Sequence, residues 1–153
     1  MIGGIALAII VVFLVGFVFV GESQTGTGLA GEQAIVYKSQ TCGCCDVYVG
    51  YLKNRGELNV EAIQTDDPVQ VKKKFGIPSQ LQSCHTTMIG GYFVEGHVPL
   101  EAVEKLLREK PDIAGIALPG MPSGAPGMLG GKEGPFVIYA VNKDGTYREF
   151  MKM

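Results

Sequence analysis

Three of the four cysteines in this sequence lie within four positions, at Cys42, Cys44 and Cys45. The cluster follows a short apolar segment, residues 34–37, and precedes a segment with helical periodicity. Core packing does not require three thiols at this spacing. The cluster therefore indicates metal–thiolate or thiol–disulfide chemistry at the junction of a strand and a helix.

The cysteine spacing suggests different roles for the three thiols. Cys42 and Cys45 form a C-x-x-C pair, and a thiol at a helix N-terminus has a lowered pKa because the helix dipole favours its thiolate. Cys44 lies about 100° around the helix from Cys45. A dithiol oxidoreductase needs only the pair, so the third thiol adds donor capacity, and soft thiolates favour Cu(I), zinc or iron–sulfur centres.

Apolar periodicity and turn signals predict a single α/β domain. The Gly90-Gly91 pair suits a hairpin turn, and the proline- and glycine-rich residues 118–128 are predicted to be irregular. The predicted strands are 34–39, 58–63, 86–89, 92–95, 136–141 and 146–150, and the predicted helices begin near Cys42, Asp67 and Pro99. The first seven elements follow the thioredoxin order, which predicts a thioredoxin-like sheet with flanking helices and an extra C-terminal β-hairpin. The first helix is expected to bury Val47, Tyr48, Tyr51 and Leu52.

The fourth cysteine, Cys84, is predicted to join the other three. In a thioredoxin-like sheet the strand that begins at residue 86 starts beside the C-x-x-C pair. His85 adjoins Cys84, and His97 follows the same hairpin, so both are candidate ligands. Met121 and Met128 are secondary candidates because thioethers suit Cu(I), although methionines on a rigid loop also commonly fill a core.

Other cysteine-based sites match this sequence less well. A c-type haem site requires a histidine directly after the C-x-x-C pair, where this chain has Asp46. A zinc knuckle requires two separated pairs, although a structural four-cysteine zinc site stays open as a weaker alternative. An iron–sulfur cluster or two structural disulfides are further alternatives, and the latter would need an awkward pairing because adjacent cysteines rarely bridge each other.

The N-terminal 21 residues are uncharged and predominantly apolar, which is long enough to span a bilayer as a helix. We expect a transmembrane anchor at residues 1–21. A cleaved signal would have a basic segment and a shorter apolar core, whereas residues 1–21 contain no basic side chain and form one long apolar run. Residues 22–33 are predicted to be a flexible linker, and residues 34–153 the metal-binding domain, held outside the cytoplasm in the periplasm or at the cell surface. The net charge of −2 gives no support for nucleic-acid binding, since the basic run Lys72-Lys73-Lys74 is expected to be a solvated helix face.

Four motifs in this order resemble a known family. They are Thr41-Cys42-Gly43-Cys44-Cys45, Ser83-Cys84-His85-Thr86, Glu95-Gly96-His97-Val98-Pro99 and the methionine-bearing loop from Pro119 to Met128. The chain from about residue 34 to residue 150 resembles the CopG-type proteins of bacterial copper-resistance operons. The resemblance implies an extracytoplasmic, thioredoxin-like protein with a multinuclear Cu(I)–thiolate cluster on Cys42, Cys44, Cys45 and Cys84, and a redox role on copper. Ala125 departs from the family, which usually has serine there.

Two functions follow from the sequence. The first is a membrane-anchored copper-binding protein of copper homeostasis or resistance, whose partners are copper ions and other copper-handling proteins. The second is a thiol–disulfide oxidoreductase with Cys42 as nucleophile and Cys45 as resolving thiol. The residue pattern leaves open whether the protein is an enzyme that acts on copper or on thiols. Cys44 discriminates between the two, since only the copper site requires it.

Overall fold

The computed structural model describes residues 28–153, so the predicted anchor at residues 1–21 and the first half of the predicted linker lie outside the described residues. Among the helices of residues 28–153, none is long and apolar enough to cross a membrane. The second half of the predicted linker contributes to the domain, because Leu29 is completely buried in the core and β1 begins at Gln33.

Strands and helices alternate along the first part of the chain, and strands dominate the last part. The elements are β1 (Gln33–Lys38), α1 (Gly43–Gly56), β2 (Asn59–Gln64), α2 (Pro68–Lys74), a 3₁₀ turn (Ser79–Leu81), β3 (Thr86–Ile89), β4 (Tyr92–Glu95), α3 (Leu100–Glu109), β5 (Gly115–Ala117), β6 (Val137–Val141) and β7 (Tyr147–Lys152). The predicted α/β class and the C-terminal hairpin, β6–β7, are confirmed.

The seven strands form one mixed sheet in the order β2-β1-β3-β4-β5-β6-β7. β1 pairs with β2 and β4 pairs with β5 in parallel, and the other neighbours are antiparallel. β5 was not predicted from the sequence. It has only three residues, all buried, and lies between β4 and β6, so tertiary pairing rather than an alternating pattern defines it.

Helices cover both faces of this sheet. Successive strand residues point to opposite faces, and neighbouring residues Phe93 and Val94 accordingly belong to different apolar clusters. The cluster that contains Val94 includes Leu52 of α1 and Leu106 of α3, whereas the cluster that contains Phe93 includes Leu81 of the 3₁₀ turn. The core is thus divided by the sheet, with α1 and α3 on one side.

Helix ends follow the sequence signals, with two corrections to the predicted faces. Asp67 caps α2, since its Oδ1 accepts the Gln70 N–H at 3.0 Å.

Val47 of α1 is 59% exposed, so the prediction that it joins the buried face was wrong. Lys72 is only 5% exposed, so the prediction of a fully solvated lysine face was also wrong, and the reason is an ion pair with buried Glu95.

Candidate metal centre

The sheet register brings the predicted site residues to one end of the domain. Tyr37, near the end of β1, lies opposite Thr86, the first residue of β3, and Thr86 lies opposite Glu95, the last residue of β4. The segment after β1 leads into α1 with its three cysteines. Cys84 and His85 directly precede β3, and His97 follows β4, so all these residues lie at the same end of the sheet.

The four cysteines converge at this end of the sheet. The sulfur atoms of Cys42, Cys44, Cys45 and Cys84 all lie within 4.8 Å of one another. Cys42 and Cys45 form a disulfide, with their Cα atoms 5.3 Å apart, and the Cys42 and Cys44 sulfurs are 3.6 Å apart. Cys44 and Cys84 are free thiols. The group is thus a disulfide with two adjacent thiols in the oxidised form and four neighbouring thiols after reduction.

Two buried histidines contact Cys84. The Cys84 sulfur lies 3.1 Å from His97 Nε2 and 3.3 Å from His85 Nδ1. His97 Nδ1 lies 2.7 Å from the Pro126 carbonyl oxygen and must donate its proton there, so Nε2 presents a lone pair to the thiol. The structure therefore assembles a second donor group of one sulfur and two imidazoles, and it shares Cys84 with the first.

Burial keeps these groups neutral. It lowers the pKa of His97, and it lowers the pKa of His85 to about 3, with the charges of His97 and Lys72 adding to the effect. Burial, together with the nearby Cys44, raises the pKa of the Cys84 thiol to about 11. Neutral imidazoles are the metal-binding form of histidine, whereas Cys84 must release a proton when it binds a metal.

Tyr48 supports both histidines, a role that the sequence analysis missed. Its ring centroid lies 4.5 Å from that of His85 and 5.4 Å from that of His97, and its hydroxyl donates to the Val98 carbonyl at 2.8 Å. Tyr48 was assigned only to the apolar face of α1. Its position one helical turn after Cys45 was the available signal, since residues at i and i+3 share a helix face.

The methionine-bearing loop covers one side of the centre. Met128 is partly buried and, with Cys44, Val47, Gly127 and Leu129, lines a cavity of about 490 Å³. Met121 is 54% exposed, unlike the other candidates, and follows Gly120, whose carbonyl accepts a hydrogen bond from Ser83 Oγ. Metal binding by the cysteines, histidines and methionines stays a prediction, but the structure places Met128 and not Met121 in a sheltered position beside a thiol.

Comparisons with known proteins identify relatives of this chain. Residues 81–128 match a family described as "Protein of unknown function, DUF411". A solved structure of copper resistance protein CopG, form 2, is 35% identical, covers 80% of this chain and 98% of its own, and has a TM-score of 0.74. Form 1 is also 35% identical, with 79% and 96% coverage and a TM-score of 0.72. No curated protein matches the chain. The identity and coverage show that this chain belongs to the CopG family of copper resistance proteins.

Proposed function

We propose that the reduced protein binds Cu(I) through Cys42, Cys44, Cys45 and Cys84 as part of copper homeostasis or resistance. The observation that carries this proposal is the convergence of all four sulfur atoms within 4.8 Å of one another. Thiolates are soft ligands that prefer Cu(I), and the two CopG structures are described as copper resistance proteins. Zinc is the weaker alternative, because four thiolates also suit a structural zinc site.

Charge favours a cluster of several copper ions over a single one. Four thiolates carry four negative charges, and one Cu(I) ion would offset only one of them. Cys45 is fully buried and the other three cysteines are partly buried, so an uncompensated charge would be costly. Several Cu(I) ions bridged by the thiolates satisfy both the charge and the short distances between sulfur atoms.

The surrounding fold supports a thioredoxin-like description of the site. The order from β1 to α3 matches that fold, and Cys42 precedes the first residue of α1. The apolar residues 1–21 support a membrane anchor that holds this domain outside the cytoplasm. In that location the protein would exchange copper with other copper-handling proteins.

The disulfide between Cys42 and Cys45 favours a second candidate function, thiol–disulfide exchange. A C-x-x-C pair at the start of a helix is the arrangement that such oxidoreductases use. This function needs neither Cys44 nor Cys84, whereas the copper cluster needs both.

Anaerobic titration of the reduced full chain with Cu(I) against a competing chelator tests the proposal. Mild detergent keeps the apolar N-terminal segment in solution. We expect more than one copper per chain, and we expect the Cys44→Ser and Cys84→Ser variants to lose most of this uptake. Met88→Leu is the control, since it removes a sulfur from β3 on the other side of the sheet at nearly constant volume.

The opposite result is equally informative. If the wild-type protein takes up no Cu(I) and its Cys42–Cys45 pair exchanges readily with dithiols in both variants, the copper function is wrong. The oxidoreductase then becomes the better description of the protein.

A further inference from the structure

We propose that the apolar cavity beside Cys44 binds a methionine side chain of the partner protein that exchanges copper with this domain. The inference rests on the proposed copper function for the identity of the metal, and it extends that function by naming the chemistry of the partner. The cavity has a volume of about 490 Å³ and is lined by Cys44, Val47, Gly127, Met128 and Leu129. Ligand-binding pockets commonly have volumes of about 300–1,000 Å³.

Exposed apolar side chains are concentrated at this cavity. Val47 is 59% exposed and Leu129 is 92% exposed, and both line it. Met121, which is 54% exposed, lies on the same methionine-bearing loop. Among residues 28–153, the other large apolar side chains with high exposure are Val69 and Tyr147, on α2 and β7. Adjacent exposed apolar side chains often mark a surface that another molecule covers, so the cavity is a candidate contact surface.

Hydrogen bonds within the loop hold the cavity wall in one arrangement. The Ala125 N–H donates to the Pro122 carbonyl at 3.2 Å, and the Met128 N–H donates to the Ala125 carbonyl at 2.8 Å. The Gly124 N–H donates to the Leu129 carbonyl at 3.4 Å. Because the backbone of this wall is already ordered, a partner can bind without the entropic cost of ordering it.

The residues that line the cavity favour an apolar occupant. None of the five has a charged side chain. A charged side chain that entered the cavity would lose hydration without gaining a charged partner from this lining. Met128 adds a flexible thioether, which adapts its shape to other apolar side chains.

The neighbouring sulfur group favours an occupant with a soft donor atom. Cys44 lines the cavity and also belongs to the group of four sulfur atoms that lie within 4.8 Å of one another. An occupant of the cavity is therefore next to a residue that is proposed to hold Cu(I). Cysteine and methionine both offer the sulfur donors that Cu(I) prefers.

Charge distinguishes methionine from cysteine in this role. A partner cysteine would bind copper as a thiolate and add a fifth negative charge to the four thiolates of the site. The thioether of methionine donates its electron pair to Cu(I) without adding charge. Methionine thus combines the three properties that the cavity and the sulfur group require, since it is apolar, soft and neutral.

The test uses the reduced full chain in lipid nanodiscs, where no free detergent competes for the cavity. The methyl groups of valine, leucine and methionine carry an isotope label for NMR. The probe is a short uncharged peptide of glycine, serine and several methionines, and the control peptide has norleucine, which lacks the sulfur, in place of each methionine. We expect the probe to shift the methyl signals of Val47, Met128 and Leu129 and to leave that of Val69 unchanged.

Loading with Cu(I) should separate the two peptides. In the copper-free protein we expect similar affinities, because both peptides make the same apolar contacts. In the copper-loaded protein we expect the methionine peptide to bind about tenfold more tightly than the norleucine peptide, which corresponds to about 1.4 kcal/mol, since only its sulfur donates to the metal. Equal affinities in the copper-loaded protein, or no shifts at the cavity, would overturn the inference.

Leu129→Ser tests the location of binding, because Leu129 is exposed and its substitution leaves the core intact. We expect this variant to bind both peptides about fivefold more weakly at equal copper loading, since it removes apolar surface from the contact. Val69→Ser is the control, since it changes an exposed apolar side chain away from the cavity. Equal effects of the two substitutions would contradict the location.

Two further outcomes identify a different error. If the Val47 and Leu129 signals change with protein concentration in the absence of peptide, a second copy of this chain occupies the cavity and the partner proposal is wrong. Cu(I) uptake without a preference for the methionine peptide contradicts this inference alone. Absence of Cu(I) uptake contradicts the proposed function, and this inference with it, even where both peptides still shift the cavity signals.

Discussion

At the scale of single residues, Gly127 brings the methionine-bearing loop into close contact with the candidate metal centre. Its φ of +84° lies in the left-handed region, where a side chain is strained. A Cβ atom there would lie 3.0 Å from both the Cys44 oxygen and the Tyr48 nitrogen, and 3.3 Å from His97 Nδ1. The absence of a side chain at this position lets the loop backbone pack directly against α1 and the histidine.

We expect Gly127→Ala to destabilise the protein and to weaken metal binding, because the contacting atoms of α1 are backbone and cannot move easily. Gly145→Ala is the matched control, since Gly145 has the same φ of +84° and nothing within 4 Å of its Cβ position. Both variants incur the backbone strain of about 1–2 kcal/mol. Denaturant unfolding should show an additional loss of about 1–3 kcal/mol for Gly127→Ala. Equal losses would contradict the steric account.

At the scale of secondary-structure elements, a buried ion pair connects α2 to the strands that carry the site. Lys72 Nζ lies 2.5 Å from Glu95 Oε1 and 3.2 Å from Thr86 Oγ1. Glu95 also accepts the Ser83 N–H and the Thr86 hydroxyl, each at 2.6 Å. This network fixes the residues on both sides of Cys84 and His85, so it holds these two candidate ligands in position.

We expect Lys72→Met to destabilise the protein by about 3–5 kcal/mol, because it leaves the Glu95 carboxylate buried without a counter-charge. Lys73→Met is the control, since Lys73 is exposed on the same helix and its loss should change stability by less than about 0.5 kcal/mol. Thermal and denaturant unfolding of the two variants make the comparison. A small effect of Lys72→Met would mean that water replaces the lysine.

The Lys72→Met penalty should also depend on pH. Burial raises the pKa of Glu95 above its ordinary value of 4.5 even beside Lys72, and loss of the lysine removes the interactions that lower it. A folded-state pKa above the unfolded value means that the folded state binds the proton more tightly, so stability falls as pH rises above about 4.5. We expect the variant to be closer to wild type at pH 5 than at pH 8. A penalty independent of pH would show that Glu95 is not its source.

Local patterns predicted the elements well but not the contacts between them. The hairpin from Thr86 to Glu95 was predicted with its bounds, since Gly90-Gly91 marks its turn. The burial of Lys72 could not be predicted, because its partner lies 23 residues away and a lysine run normally indicates a solvated face. For the site, spacing predicted the cysteine cluster, but the contacts of Tyr48 and Pro126 with the histidines depend on tertiary packing.

At the scale of the whole molecule, the chain enters the domain far from the metal centre. The Gly31 N–H donates to the carbonyl of Glu57, the residue that follows α1, whereas the cysteines lie at the beginning of that helix. α1 has 14 residues and is therefore about 21 Å long. Leu29, completely buried, attaches this entry segment to the core.

We expect Leu29→Ala to destabilise the domain by about 2–5 kcal/mol, because it removes a fully buried side chain, and to leave the copper stoichiometry of the folded protein unchanged. Val69→Ala is the control, since Val69 is 52% exposed on α2 and does not line the cavity beside Cys44. Unfolding curves and Cu(I) titration of the folded variants make the measurement. A change of stoichiometry in Leu29→Ala would show that the entry segment communicates with the centre.

The position of Gly31 beside Glu57 has a consequence for how the protein faces its surroundings. A molecule attached to any surface through its N-terminus is held at one pole and displays its cysteines at the other. Its sulfur atoms then face away from that surface, toward the adjacent aqueous solution. Copper carriers and dithiol reagents would approach the cysteines from solution, and neither the surface nor the N-terminal attachment would obstruct them.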